Sequence, residues 1–403
     1  MHVLYIHQHF TTNAGASGTR SYDYARYLVR QGHRVTVLTG IYALGPFGTA
    51  LGRGSVHRRQ IDGIDVVILK VPYANQMSFL RRLGSFLMFA VLSVWVALRV
   101  RKVDVVLATS TPLTVGLPAL AMRLLRGVPY IFEVRDIWPA FAVKIGALKN
   151  PILIRLAYAA EAVFYRFAAR IQVISEGMRQ ALLDRRLPPE KLTVLPTGVD
   201  LALYDHAGPD NRLRQRLGWQ GRLVAVYAGA LSDANGLEYV VEAAAAAKDD
   251  PRIGLLIIGD GRRKPALIEL ATRHGLSNLH FEPSMPKEQL IHVLADCDVG
   301  MLILRPLPEF AMAMPNKLFD YLAAGLAVTV NFEGEAASEL AARGAGGATN
   351  PTDARSLARR LQDYASDPQG LTRTKAAARE LARKYDRAVL AKILEENLKS
   401  TIR

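Results

Sequence analysis

Gly254-Leu-Leu-Ile-Ile-Gly259-Asp260-Gly261-Arg262-Arg263-Lys264 joins a wholly apolar run to a glycine turn, and then to three cations at the head of a helix-period stretch. An apolar run of this length, bounded by glycine and followed by helical periodicity, is the pattern of a buried parallel strand with its crossover. The pattern recurs on both sides. Strands are predicted at 223–228, 279–282, 299–304 and 327–331, and an earlier series at 3–7, 35–39, 66–71, 105–109, 130–134 and 171–174. Helical stretches separate most of them, so the fold class is α/β with parallel sheets and helices on both faces.

The length of 403 residues exceeds the size at which one hydrophobic core stops growing, which predicts two domains. The join falls between Leu195-Pro-Thr-Gly-Val-Asp200 and Gly218, where Pro196, Gly198, Gly208 and Pro209 punctuate a polar stretch. The expected division is 1–200 and 201–384. Ligands of open parallel sheets bind beyond the carboxyl ends of the strands, so two such domains facing each other would define a cleft.

Composition narrows the class. Half the residues are hydrophobic and 22% are charged, which excludes disordered and collagen-like chains. The single cysteine, Cys297, forms no internal disulfide, and the opening Met1-His-Val-Leu-Tyr-Ile-His-Gln-His-Phe10 lacks the basic region of a secretory signal. A cytoplasmic chain is expected. The net charge of +15 is uneven: residues 1–180 hold 22 Lys and Arg against 8 Asp and Glu, whereas the remainder hold 29 against 28. Such asymmetry points to a polyanion facing the first domain, either nucleic acid or anionic lipid headgroups, with ordinary solvated charge as the alternative.

Several stretches could carry chemistry. After the first strand, the loop with Gly15 and Gly18 leads to Arg20 at a helix start, where backbone N–H groups suit a phosphate or another anionic oxygen; an ordinary tight turn is the other reading. Asp136 in Glu133-Val-Arg-Asp136-Ile-Trp-Pro139 follows a strand and is placed to orient an acceptor hydroxyl or act as base, or else to cap the next turn or pair with Arg135. Gly261, Arg262, Arg263 and Lys264 form a candidate diphosphate site, the alternative being a solvated basic helix end. Downstream, Arg305 and Glu309 precede Pro315-Asn316-Lys317-Leu-Phe-Asp320, in which Pro315 suits a first helical turn. An anionic ligand would meet Asn316 and Lys317 there, with Asp320 placed to accept from a ribose; a capped, solvated helix start is the alternative. Asp296-Cys-Asp298 reads as helix capping, and the histidines lack ligand spacing, so no metal is expected.

Between the third and fourth strands, Arg81-Arg82 and Arg99-Val-Arg-Lys102 flank the uncharged stretch 83–98. At 1.5 Å per residue it spans about 24 Å, short of a ~30 Å hydrocarbon core. It suits either a helix in a membrane interface or a crossover helix buried on the sheet, and the two are partly compatible.

Taken in order, the opening strand, the Gly15 and Gly18 loop, Leu28-Val-Arg-Gln-Gly32-His-Arg-Val35, Pro196-Thr-Gly198-Val-Asp200, Gly259-Asp-Gly261 and Asp320-Tyr-Leu-Ala-Ala-Gly325 resemble the family-four retaining glycosyltransferases. Their GT-B fold has two facing Rossmann-like domains. His7-Gln-His-Phe10, Arg135-Asp-Ile-Trp-Pro139 and Pro315-Asn-Lys-Leu-Phe-Asp-Tyr321 look like the branch that contains N-acetyl-L-fucosamine transferases of O-antigen and capsule assembly. The resemblance implies a nucleotide-sugar donor, UDP-linked, held mostly by the second domain, and an acceptor held by the first. It implies transfer with retention and without a metal or other cofactor, and a last helix, 385–403, that crosses back onto the first domain. The implied acceptor is a saccharide on a polyprenyl diphosphate at the cytoplasmic leaflet, which accounts for the basic first domain.

Two departures stand out. Relatives often carry two glutamates eight positions apart; Asp320 occupies the second position and Met312 the first, leaving Glu309 as the substitute. Relatives also place an Arg and a Lys in the loop that here reads Gly229-Ala-Leu-Ser-Asp-Ala-Asn235-Gly236, so neutralisation passes to Arg262, Arg263, Lys264, Arg305 or Lys317. Competing readings are a nucleotide-sugar 2-epimerase, an inactive sugar-nucleotide-binding scaffold and a nucleic-acid binder, the last without aromatic residues interleaved among its cations.

Overall fold

Two units make up the chain: Met1–Pro196 together with Arg387–Arg403, and Thr197–Asp386. The computed structural model describes residues 1–15, 18–42, 47, 52–74, 77–144, 146, 148–209 and 211–402, apart from the side chains of Phe79, Phe141 and Glu309.

The first unit is built on eight strands: β1 (His2–Ile6), β2 (Arg34–Tyr42), β3 (Val56–Ile61), β4 (Ile64–Tyr73), β5 (Val105–Thr109), β6 (Tyr130–Val134), β7 (Arg170–Val173) and β8 (Leu192–Val194). Their order across the sheet is β3-β4-β2-β1-β5-β6-β7-β8, and only the β3–β4 hairpin is antiparallel. Every residue of β1, β5 and β6 is buried, as both-face coverage requires. Adjacent residues of β6 show the two faces. Ile131 joins a core shared with helices Arg20–Arg30 and Arg387–Ile402, whereas Phe132 meets Phe164 and Tyr165 of helix Pro151–Phe167.

The second unit holds β9 (Leu223–Ala228), β10 (Ile253–Ile258), β11 (Leu279–Glu282), β12 (Val299–Leu302), β13 (Ala327–Val330) and β14 (Gly346–Ala348), all parallel, in the order β11-β10-β9-β12-β13-β14. The strands missing from the sequence reading, β3, β8 and β14, lack a long apolar run. β3 is a polar edge strand, Val-His-Arg-Arg-Gln-Ile, and the other two have three residues each. Strand β12 ends at Leu302 rather than 304, and Asn331 then bonds both backbone groups of Leu304, at 2.9 and 2.8 Å.

Helix Arg387–Ile402 returns to the first unit through contacts the sequence does not advertise. Buried Arg387 donates to Thr19 Oγ1 at 2.9 Å and pairs with Asp23, both at the start of helix Arg20–Arg30. Leu390, Leu394 and Leu398 are buried on the same core, each stabilising it by about 1.5–3 kcal/mol. The apolar stretch near residue 83 forms helix Phe79–Ala97, which starts early enough to take Arg81 and Arg82 into its first turn. Ser85, Phe89, Ala90, Ser93, Val96 and Ala97 are buried, while Leu80, Leu87, Met88, Val91 and Trp95 are exposed. The expected crossover helix buried on the sheet thus accounts for one face of this stretch, and the other face is apolar and exposed.

Candidate functional site

Three loops at the carboxyl ends of β9, β10 and β12 come together in the second unit because glycines let their backbones touch. At Gly259, with φ +149°, an added Cβ would lie 1.9 Å from the Gly229 carbonyl oxygen; at Gly261 it would lie 2.2 Å from that of Leu231. Backbone bonds tie the loops together: Gly229 N–H to Ile258 O at 2.9 Å, Leu231 N–H to Asp260 O at 3.0 Å, and Arg305 N–H to Ala234 O at 3.0 Å. The Asn235 amide donates to Ala230 O at 2.7 Å and Ser232 Oγ at 2.9 Å. Asn235 thus shapes the first loop, and its amide hydrogens are directed inward rather than toward a ligand.

Lys317 brings a cation to this turn from below. It lies at the start of helix Asn316–Ala323, with Pro315 as the N-cap rather than in the first turn. Its Nζ donates to the Tyr227 hydroxyl at 2.8 Å and lies 4.1 Å from that ring's centroid. The hydroxyl in turn donates to Ala230 O at 2.9 Å. An added Cβ on Gly229 would lie 3.2 Å from Nζ, so the glycine leaves the ammonium directly against the turn. Burial lowers the lysine pKa to about 7, and no carboxylate acts on it to restore the charge. Burial also raises the Tyr227 and Tyr321 hydroxyls, so both stay neutral partners; Tyr321 accepts from Ala228 N–H at 2.8 Å. One turn along, Asp320 accepts from the Tyr204 hydroxyl at 3.1 Å and pairs with Lys287.

Three of the other expected cations, Arg262, Arg263 and Lys264, are engaged within the protein, which corrects their assignment as a diphosphate cluster. Lys264 places its ammonium on Gly259 O at 2.9 Å, Asp260 Oδ1 at 2.9 Å and Glu282 O at 3.1 Å, which uses all three of its donors. Asp260 is held at about 2, first by that lysine and then by Ser284 N–H. Arg262 pairs with Asp233, and Arg263 with Glu238. Arg305 is exposed, packs its Cγ over Gly236, and has no ion-pair partner among the described residues. Glu309 falls in the 3₁₀ turn Pro308–Met312, but its side chain lies outside the described residues. Asp296 accepts from Asn211 N–H at 3.0 Å, while Asp298 pairs with Arg214 and Lys375.

In the first unit, Arg20 is a core residue and not a phosphate ligand. It is 2% exposed, pairs with equally buried Glu133, and donates to Leu195 O at 3.0 Å. Glu133 also accepts from Thr109 Oγ1 at 2.9 Å and Gln172 Nε2 at 2.8 Å, so the charge pair is enclosed in hydrogen bonds. The preceding loop is tight: Gly15 N–H bonds Thr12 O at 2.9 Å, and Gly18 precedes the N-cap Thr19. Asp136 lies half-buried beyond the end of β6 and accepts from Thr111 Oγ1 at 3.0 Å; Arg135 N–H bonds Ser110 Oγ at 3.2 Å. Two neutral imidazoles share this end of the sheet. Burial, and then Arg135, lower the pKa of both His7 and His9, the latter to about 3.

Sequence reasoning missed Tyr227, Tyr204, Lys287 and Thr111. Only Tyr227 carried a signal, as the one hydroxyl-bearing residue of the otherwise aliphatic strand β9.

Residues 15–198 match a family described as glycosyl transferase 4-like domain, and residues 210–381 match glycosyl transferases group 1. WbjE of Pseudomonas aeruginosa, which carries the name of a glycosyltransferase, is 24% identical over 309 residues, covering 74% of this chain and 76% of its own. WcaI of Escherichia coli (strain K12), which carries the name of a colanic acid biosynthesis glycosyl transferase, is 24% identical over 336 residues, covering 81% and 82%. The crystal structure of Anabaena Alr3699/HepE in complex with UDP and glucose superposes with TM-score 0.73 at 22% identity, over 99% of this chain and 100% of that one.

Proposed function

Since the chain belongs to the glycosyltransferases of the GT-B fold, we propose that it moves a sugar from a UDP-linked donor to a saccharide carried on a polyprenyl diphosphate, in surface polysaccharide synthesis. The observation that carries this reading is the half-buried Lys317 ammonium, held below the Gly229–Ala230 turn by a tyrosine hydroxyl and paired with no carboxylate among the described residues. Lys317 is half-buried, so its ammonium is partly desolvated without a carboxylate to offset the cost, and a diphosphate over the turn supplies the missing charge. The bound UDP recorded for Anabaena Alr3699/HepE, a protein of the same fold, supports uridine as the base.

In this reading the second unit holds UDP. As the bond from the anomeric carbon to the diphosphate oxygen breaks, negative charge grows on the leaving UDP while the sugar gains oxocarbenium character. Lys317 and Arg305 stabilise that charge more in the transition state than in the ground state. The acceptor hydroxyl attacks from the face the UDP leaves, which retains the anomeric configuration, and its proton passes to the departing phosphate oxygen or to a carboxylate. Asp136 orients the acceptor, and Glu309 is the acid for the position where Met312 stands. No metal enters. N-acetyl-L-fucosamine, or a related N-acetylhexosamine, is the first sugar to try.

The test is product formation. The purified protein is incubated with UDP-N-acetyl-L-fucosamine, UDP-N-acetylglucosamine and UDP-glucose, with and without a polyprenyl-diphosphate saccharide in detergent and with EDTA present, and read by mass spectrometry. Acceptor-dependent gain of one sugar with release of UDP supports transfer. A UDP-sugar converted to its 2-epimer without acceptor, or no turnover of any donor that the protein binds, overturns it.

A further inference from the structure

Three helices of the first unit leave an apolar, acid-free surface uncovered. Helix Phe79–Ala97 packs against Gly116–Arg126, which packs in turn against Pro151–Phe167. Leu80 and Val91 on the first are 76% and 67% exposed, Leu124 and Leu125 on the second 58% and 68%, and Ile152 and Leu156 on the third 66% and 61%. Side chains this size are rarely left in water side by side across neighbouring helices of a monomer.

Charge identifies what covers them. The three helices contain one carboxylate, Glu161, which is fully buried and bonded to Arg185 at 2.9 Å, so they show solvent no negative charge. Cations gather where the first two helices end: Arg99, Arg101, Lys102, Arg123 and Arg126 are all exposed. Arg126 donates to Leu98 O at 2.9 Å, which joins the two ends, and Arg99 sits 3.9 Å from the Trp95 ring centroid. Protruding apolar side chains, an aromatic ring with a cation over its face, and a border of five exposed cations beside one exposed acid, Asp104, match a bilayer interface with anionic headgroups.

Helix Phe79–Ala97 contains a window, Leu80–Ala97, long and apolar enough by length and composition to cross a membrane. Its inner face, with Phe89 and Ala90 at 0% exposure, is part of the sheet's covering, so crossing would strip that side of the sheet bare. We propose that the combined face of helices Phe79–Ala97, Gly116–Arg126 and Pro151–Phe167 lies flat on an anionic lipid surface, as a monotopic contact rather than a span. The contact requires nothing of the donor site, and each can fail alone.

The test is flotation of the full chain with phosphatidylcholine vesicles, with and without phosphatidylglycerol, over a salt series. Binding is expected only with phosphatidylglycerol and is expected to weaken with salt, since each headgroup-facing cation strengthens it about fivefold. Val91→Glu, Leu125→Glu and Leu156→Glu, one per helix, should each weaken binding tenfold or more while thermal unfolding and UDP affinity stay as in the unaltered chain. If Leu125→Glu and Leu156→Glu float normally while Val91→Glu does not, the three-helix face is wrong. Resistance to carbonate extraction would make the helix a span, and a vesicle-indifferent dimer that Leu125→Glu dissociates would make the face a self-association surface; either result overturns the proposal.

Discussion

Lys317 Nζ donates to the Tyr227 hydroxyl at 2.8 Å, and this pair fills the space under the Gly229 turn from opposite elements, a helix start and a strand end. The hydroxyl continues to Ala230 O, so the ammonium is coupled to the loop that would carry the donor phosphates. The chain has no cation of its own in that loop from Gly229 to Gly236; Arg262 reaches its Asp233, and Lys317, some 80 residues later in sequence, reaches under Gly229.

Lys317→Ala should lower kcat/KM about 100-fold or more, the loss typical of one electrostatic donor to a developing charge. Steady-state kinetics with the productive UDP-sugar measures it. Turnover near that of the unaltered enzyme would remove the lysine from the site.

UDP affinity should fall as pH rises through about 7, where the enclosed Lys317 loses its proton in the free protein. Below that pH the cation is already present. Above it, binding must take up a proton, and affinity drops by up to about tenfold per pH unit until the bound-state pKa is reached. Calorimetry in buffers of differing ionisation enthalpy detects the uptake directly; an affinity flat through this range removes the linkage. The sign for the ligand-free fold is opposite. From about 7 toward 10.5 the unfolded lysine holds a proton that the folded one has shed, so this group makes the fold more stable as pH rises.

Arg20→Met should destabilise the first unit by about 3–5 kcal/mol, because it leaves Glu133 charged and buried without its partner. UDP affinity should stay the same. Denaturant unfolding followed beside UDP titration separates the two effects, and unchanged stability with weakened UDP binding would return Arg20 to the donor site.

Gly259→Ala puts a Cβ 1.9 Å from Gly229 O at a φ of +149°. Backbone strain alone is worth about 1–3 kcal/mol, and the clash forces the two turns apart. Reduced stability together with loss of UDP-induced thermal stabilisation is expected in a thermal-shift assay; a full UDP shift would mean that the turns need not touch.

Asp136→Asn should abolish most transfer while leaving UDP binding intact, since the carboxylate belongs to the first unit and is fixed by Thr111. Weakened UDP binding would place it on the donor side instead.

The parallel strands were legible because both-face burial writes itself into sequence as short aliphatic runs, as in Ile253–Ile258 and Val105–Thr109. Strands without such runs, β3 and β14, were not legible. Around the candidate site, the glycine turn was legible as a close backbone approach, since Gly259 and Gly261 leave backbone no room for a side chain. The cations were judged less well. Arg20, Arg262, Arg263, Lys264 and Lys317 look alike as letters beside glycine or a helix start, yet the first is sealed in the core, the next three are held by carboxylates or carbonyls, and only Lys317 is enclosed beside the turn without an acid.

Periodicity and turn residues, which are local, therefore determined the α/β class, the two-part division of a 403-residue chain and the glycine turns at the strand ends. Which charge is available to a ligand was decided only by tertiary structure. A side chain's partner is set by residues brought near in space, such as Glu133 to Arg20 across 113 positions or Tyr227 to Lys317 across 90, and burial then fixes whether the charge is neutralised, shifted or left for a substrate.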